Sequence, residues 1–384
     1  MTRELTFVRQ GRLEWRDHPD PQLETATDAL VRPFVASRCD GDVLPLHHPV
    51  SRPMQAGLKL HLIDPVIADI TGAVPFKGPF GVGHECIAPV TAVGDDVRHL
   101  HVGDTVVVPW SISCGTCREC RRGITAKCST TRVHSPGKAL AAYGFGPSCG
   151  PWGGVVTDSM LVPYAEHMLV KLPDGLDPLR VAAASDNLSD AWRAVAPPLA
   201  DAPDDASVLV IGGGARSIGL YAAGLAGTLG AARVDYIDDD PERLAVAESL
   251  GATVHEVRRK RWTSVLPAIS ERYDVAVEAS STEQGLRDSL RALGPGGVCT
   301  AVGYYVGIGT KVPVMDMYAT SATLRVGVSN ARPRLPELLD FVARTDFPAE
   351  RVTSTLLPWQ DAPEGYAAHT TKLVLHREPL DVTD

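Results

Sequence analysis

What this 384-residue chain lacks narrows its reading first. It has no basic excess: 37 Lys and Arg stand against 46 Asp and Glu, a formal net charge of −9. A general nucleic-acid binder needs a positive footprint, so that class is excluded. No uncharged apolar run reaches the ~18 residues of a membrane-spanning helix. The nearest stretch, 208–232, is broken by Arg216 and repeated glycines. The N-terminal MTRELTFVRQGRLEWRD is charged throughout and has no apolar core of the secretory type. A cytoplasmic location with no membrane partner is therefore expected. Internal repeats and low-complexity linkers are also missing. What remains, 44% hydrophobic and 22% charged residues, is a soluble globular composition, long enough for two domains.

The stretch Val208 to Asp240 organises the rest. Val208–Ile211 is a short β-branched run bounded by glycines, the pattern of a buried parallel strand. Gly212, Gly213 and Gly214 follow, then a small-residue segment, Ile218 to Leu229, suited to a helix packed closely on a sheet, with Ser217 as its candidate cap. Arg233–Ile237 reads as a second strand closing on Asp238. Strand, glycine turn, helix, strand and acid together make a dinucleotide-binding layout. Glycines let backbone approach a pyrophosphate, and the helix N-terminus offers N–H donors. Asp238 can accept from both adenosine ribose hydroxyls and would repel a 2′-phosphate, which favours NAD over NADP. The spacing departs from G-x-G-x-x-G, because four residues, Ala215–Ile218, separate Gly214 from Gly219.

Around this stretch the texture is α/β. Pro241–Leu250 reads as a helix with Asp240 as N-cap and Gly251 as stop. Tyr273–Ala279 and Gly297–Val302 read as strands, with Glu283–Leu293 as a helix ended by Gly294. That alternation predicts a doubly wound parallel sheet. A helix over Pro336–Val342 and a strand over Lys372–Leu375 close the chain, and the basic run Arg258–Arg261 is read as solvated surface. Residues 1–110 are β-rich and irregular, residues 111–151 form a loop excursion, and strand signals return at Val155–Pro163. The expected domains are 1–187, containing a zinc lobe at 111–129, then 188–330, with 331–384 returning to the first.

Cys114, Cys117, Cys120 and Cys128 have the spacing C-x2-C-x2-C-x7-C. Four thiolates so placed close a tetrahedral zinc shell, with Gly115 and Gly123 allowing the chain to turn back. An iron–sulfur cluster is the lesser alternative, since its last gap is shorter and a proline follows. A closed shell implies structure rather than catalysis.

With these pieces in order, the chain resembles the zinc-dependent medium-chain alcohol dehydrogenases over nearly its whole length. The matching segments are Cys39 to Asp42, Gly83-His84-Glu85, Val102–Val106, the cysteine lobe, Ser185-Asp186, the glycine turn and Val302-Gly303. The resemblance implies a Rossmann cofactor domain beside an irregular, GroES-like catalytic domain. It implies two zinc ions per chain, one structural and one catalytic. The catalytic ion would be held by Cys39, His84 and Asp186, with Glu85 as a nearby second carboxylate and Asp42 orienting a ligand or pairing with an arginine. Each residue also has a plain alternative: a small buried cysteine, a hydrogen-bonded core histidine, a helix cap. The resemblance further places Gly212, Gly214, Ser217, Ile218 and Gly219 at the pyrophosphate and Asp238 at the ribose. Arg243 would lie at the adenine edge or offset the acid, and Val302 with Gly303 would line the nicotinamide pocket. The implied activity is hydride exchange between an alcohol or aldehyde and NAD, with NADP less favoured, in a homodimer or homotetramer joined near Thr323–Val328. Specialised reductase, polyol dehydrogenase, aldehyde dismutase and non-catalytic binder are the alternatives.

Some positions depart from that pattern. Gly41 stands where relatives carry a proton-passing hydroxyl, Leu44 where they carry histidine, and Asp190 where a threonine packs on nicotinamide. His47, His48 or water would then carry the proton. Ala88-Pro89 replace a usual glycine, read as a local turn change. Trp110, Tyr143, Phe145, Trp152, Tyr304 and Tyr305 are the candidate substrate-pocket aromatics.

Overall fold

The computed structural model describes residues 1–132, 140–257, 264–269 and 271–379. The basic run Arg258–Arg261 lies outside them. Two compact units emerge: 1–186 with 330–340 and 353–384, and 187–329 with 341–352.

The first unit is built from short strands: β1 (Thr2–Arg9), β2 (Arg12–His18), β3 (Ala29–Val31), β4 (Val35–Ser37), β5 (Phe80–Gly81), β6 (Glu85–Val93), β7 (Thr105–Val108), β8 (Met160–Val162) and β9 (Val170–Lys171). The second unit carries β10 (Ser207–Ile211), β11 (Arg233–Asp238), β12 (Thr253–Glu256), β13 (Tyr273–Glu278), β14 (Leu293–Ala301) and β15 (Thr323–Val326). Two late strands, β16 (Thr355–Pro358) and β17 (Leu373–His376), return to the first unit.

In the first unit β1, β2 and β5 form one antiparallel sheet, and the order β16-β17-β4-β6-β3-β8 forms the larger one, with β7 off β6 and β9 off β7. Leu5, Val31, Val106, Val108 and Leu375 are buried in the core between these strands. Ala88-Pro89 lie within β6, not in a turn. Pairing with β3 slips between Leu30 and Val31, so the sheet takes up the proline through a bulge rather than a break.

The second unit is a six-stranded, wholly parallel sheet in the order β12-β11-β10-β13-β14-β15. Strand order reverses at β10, between β11 and β13, the switch point where open α/β sheets take ligands. Leu209, Ile211, Ala276 and Cys299 are buried along the strands, as continuous β-branched and small runs require when both faces are covered.

Some boundaries differ from expectation. The helix after Thr282 ends at Arg291, and Leu293 already pairs with Tyr273 in β14. Gly294 is therefore part of a strand irregularity that rejoins register at Val298, not a helix stop. The late helix runs Ala331–Thr345 with Pro336 inside it, because its first turns precede the proline taken as its start.

Candidate metal centres and cofactor site

Cys39 sits two residues after β4, and His84 one residue before β6. Since β4 and β6 are paired antiparallel with Ser37 opposite Glu85, neighbouring strand ends bring Cys39 and His84 together. Asp186 completes the set. The ligand atoms of Cys39, His84 and Asp186 all lie within 4.8 Å of one another. Cys39 Sγ stands 3.3 Å and His84 Nε2 3.4 Å from the same carboxylate oxygen, Asp186 Oδ2. Both ring nitrogens of His84 are buried without a hydrogen-bond partner. An imidazole orphaned in this way lacks a Lewis acid or a proton donor that its surroundings do not supply. Burial pushes the Cys39 thiol well up, and the Asp186 charge adds to it. Burial alone would lower His84, but Asp42 and Asp186 pull it up to about 9. The cluster is anion-rich and calls for a cation, which is the donor chemistry of an open zinc site.

Asp42 lies behind it. Its Oδ1 is 3.5 Å from His84 Nδ1, and its Oδ2 accepts from the Cys39 backbone N–H at 3.3 Å. That is the carboxylate–histidine arrangement that fixes a metal-binding tautomer. Glu85 is different: its carboxylate is fully buried, and Oε2 accepts from Lys372 Nζ and Ser37 Oγ, each at 2.5 Å. It does not converge with the other three, because an ion pair holds it. His47 Nε2 meets Ala367 O at 3.0 Å, and its ring stacks on His369 with centroids 3.9 Å apart.

The ring of Phe145 lies 4.8 Å from His84 and 5.7 Å from Trp110. Asp42, Leu46, Phe76, Phe80, Phe145 and Tyr366 line a small crevice beside them. Tyr143 is core instead, with its hydroxyl donating to Leu161 O. Trp152 packs on the same core. Tyr305 donates to buried Glu278, and Tyr304 is exposed.

The four lobe cysteines also converge within 4.8 Å. Backbone N–H groups of Cys114, Cys117 and Cys120 donate to the sulfurs of Cys128, Cys114 and Cys117 at 3.4, 3.4 and 3.5 Å, as thiolate ligands attract. Gly115 and Gly123 have φ of +77° and +75°, the left-handed backbone that lets the chain fold back.

At the end of β10, Gly213 takes φ of +135° and Gly214 is exposed. Helix Arg216–Thr228 follows, with buried Ile218 in its first turn, and a Cβ added at Gly219 would stand 3.2 Å from Ala279 Cβ, a tight contact. Ser217 does not cap it: no side-chain cap bond is made, and the hydroxyl donates to Asn187 Oδ1 at 3.1 Å. Asp240 does cap the next helix, accepting from the N–H groups of Glu242 and Arg243. Val302 and Gly303 are half-buried just past β14, with the Val302 N–H donating to Glu278 O. Asp238 is fully buried. It accepts from Tyr236 Oη at 2.8 Å, Arg243 Nε at 2.9 Å, Arg243 Nη2 at 2.6 Å and the N–H groups of Asp239 and Asp240. All of these donors come from the acid's own neighbours along the chain.

Residues 26–174 match the family model described as alcohol dehydrogenase GroES-like domain, and 217–344 the one described as zinc-binding dehydrogenase. The chain belongs to the zinc-dependent medium-chain alcohol dehydrogenase family. It is 28% identical to a probable zinc-binding alcohol dehydrogenase of Mycobacterium tuberculosis, over 93% of this chain and 82% of that one. A glutathione-independent formaldehyde dehydrogenase of Pseudomonas aeruginosa is 34% identical over 46% of this chain and 44% of its own. The alcohol dehydrogenase TADH from Thermus sp. ATN1 superposes with a TM-score of 0.78 at 29% identity, covering 97% and 99% of the two chains.

Within this zinc-dependent family the chain keeps its own features. Asp190 is buried and pairs with Arg193 in the same helix. Three residues escaped sequence reasoning. Lys372 is fully buried against Glu85 from 287 positions away, Arg38 is buried and donates to the carbonyls of Tyr366, Ala368 and Thr370, and Tyr236 holds Asp238. Only the i, i+2 spacing of Tyr236 and Asp238 was a local signal.

Proposed function

We propose that this chain is a zinc-dependent alcohol/aldehyde oxidoreductase exchanging hydride with a nicotinamide dinucleotide, NAD(H) being the form proposed. The observation that carries it is the convergence of Cys39, His84 and Asp186 around a histidine whose ring nitrogens lack partners. Those three residues would hold the catalytic ion, and Cys114, Cys117, Cys120 and Cys128 the structural one. When bound at a three-ligand site, zinc supplies Lewis acidity to an oxygen-bearing substrate.

The protein's own groups supply the rest. Asp42 Oδ1 stands 3.5 Å from His84 Nδ1, and Nε2 faces Asp186 Oδ2 at 3.4 Å. Phe145 and Trp110 give the His84 side an apolar wall, suited to an alcohol or aldehyde rather than a charged substrate. That one relative is a formaldehyde dehydrogenase is consistent with small aldehydes. Gly41 has no hydroxyl, so the proton leaves through water or the Nδ1 of His47, which remains an acceptor because Nε2 must donate to a carbonyl. Burial lowers His47 and keeps it neutral. Along β15, exposed Val326, with Met315 and Tyr318 exposed on the preceding helix, supports pairing with a second copy.

Elemental analysis of protein purified without chelator tests the assignment. About two zinc ions per chain are expected, falling to about one in Asp186→Asn with the cysteine lobe still loaded. One zinc in the unaltered chain, unchanged by Asp186→Asn, would refute it.

A further inference from the structure

Tyr366 carries a hydroxyl that packing alone does not explain. The side chain is fully buried, and its Oη has no hydrogen-bond partner among the described residues. Burying a hydroxyl unpaired is costly, so such a group calls for a ligand of its own. Both ends of this tyrosine are tied to the chain around the metal ligands. At its backbone, Arg38, the residue before Cys39, donates through Nη1 to Tyr366 O at 2.7 Å. At its tip, the hydroxyl lies against Gly83, the residue before His84: a Cβ on Gly83 would stand 2.7 Å from Oη. Gly83 has φ of +84°, so glycine there serves the backbone and the hydroxyl alike.

Tyr366 and Asp42 line the same crevice, whose other walls include the apolar rings of Phe7, Phe76, Phe80 and Phe145. Its volume is about 20 Å³, room for one water and far below the size of a substrate pocket. Asp42 is the one acid on that wall among the described residues. Its carboxylate has capacity left. The Cys39 N–H at 3.3 Å and His84 Nδ1 at 3.5 Å are both long contacts, against about four lone-pair sites. An acceptor with spare lone pairs and an orphaned donor, sharing one water-sized space, are the partners that a bridging water requires.

We infer that Tyr366 is a positioning residue for the metal centre: through a single water held in this crevice, its hydroxyl fixes the Asp42 carboxylate against His84. The hydroxyl donates to the water, and the water donates to the carboxylate. This rests on the reading of Cys39, His84 and Asp186 as a metal site, and adds to it a group from the C-terminal part of the chain.

Zinc affinity, read by competition with a chromogenic chelator, tests it, with the cysteine lobe as internal control. Tyr366→Phe keeps the ring and removes the hydroxyl. Direct partners of a metal-binding histidine change affinity roughly 10–100-fold; one water further out, Tyr366→Phe should weaken zinc at the three-residue site about fivefold. A merely structural tyrosine would show the same loss whatever stands at position 42. The inferred role requires the loss to shrink to about twofold or less in Asp42→Asn, where the group it acts through has lost its charge. Crystals of the zinc-loaded, unaltered protein should show one water within hydrogen-bond distance of both Tyr366 Oη and the Asp42 carboxylate. That measurement decides the matter even if Tyr366→Phe folds poorly. Unchanged affinity in Tyr366→Phe, an equal loss in the Asp42→Asn background, or a crevice without that water would overturn the inference. If the unaltered protein binds zinc in the cysteine lobe alone, the metal-site reading falls and this inference with it.

Discussion

Replacing Lys372 with methionine would leave the Glu85 carboxylate buried beside the metal ligands without its ammonium, while Ser37 Oγ still donates to it. Both partners of the ion pair are fully buried, and Lys372 Nζ also donates to Arg38 O at 3.1 Å. Burial pushes the Glu85 carboxyl up and the ammonium opposes that, so the pair holds its charge only while both members remain. Methionine matches the length of the lysine stem, so the loss is electrostatic rather than a cavity. Breaking a buried pair from one side costs about 3–5 kcal/mol. At roughly 2–4 °C per kcal/mol for units of this size, the melting temperature should fall on the order of 10 °C. Glu85→Gln should cost a comparable amount, by stranding the ammonium. The double variant removes both charges and should cost clearly less than the sum, by about 2 kcal/mol or more. Urea unfolding monitored by tryptophan fluorescence reads all three. Additive losses, or a Lys372→Met penalty below about 1 kcal/mol, would refute the argument. A zinc determination on Glu85→Gln separates the two roles considered for this residue: retained zinc fits a carboxylate held by Lys372, and lost zinc fits a ligand.

Asp42→Asn keeps the shape behind His84 but removes its charge, so zinc at the Cys39, His84 and Asp186 set should bind about 10–100-fold more weakly. Competition with a chromogenic chelator reads this, with the slower release from the cysteine lobe unchanged; a single unaltered release curve would count against it. His167 is held down to about 4 by burial and then by Arg332, against an ordinary value near 6.5. The unfolded chain binds that proton first, so stability attributable to His167 is full above pH 6.5 and declines as pH falls towards 4. In His167→Gln that part of the acid limb should flatten in pH-dependent urea titrations, and an unchanged slope would assign it to other groups.

The parts that could be read in advance are those whose causes lie close together along the chain. Cys114 to Cys128 span one short loop, so spacing alone predicts that four sulfurs meet. The helix after Asp240 was legible because its cap, its first-turn proline and the Gly251 stop act on their own backbone. The parallel sheet was legible because alternating strands and helices leave few other packings. Long-range pairing has no such local signature. Lys372 read as a strand residue, and nothing near it announced a glutamate 287 positions earlier. Pro336 read as a helix start because local sterics favour that place, whereas the helix begins at Ala331.

Asp238 marks the limit more sharply than either. Its position was anticipated, at the end of the strand after the glycine turn, and the structure puts it there. Position, however, does not decide which donor takes a carboxylate's lone pairs. That competition is settled by the Tyr236 hydroxyl two residues back and by a guanidinium one helical turn ahead, both close enough to outnumber any ligand before it arrives. A motif therefore specifies where an acid stands, while its immediate neighbours decide whether that acid is presented to a cofactor or kept from it. In this chain the Tyr236 hydroxyl and the Arg243 guanidinium already hold both oxygens of Asp238.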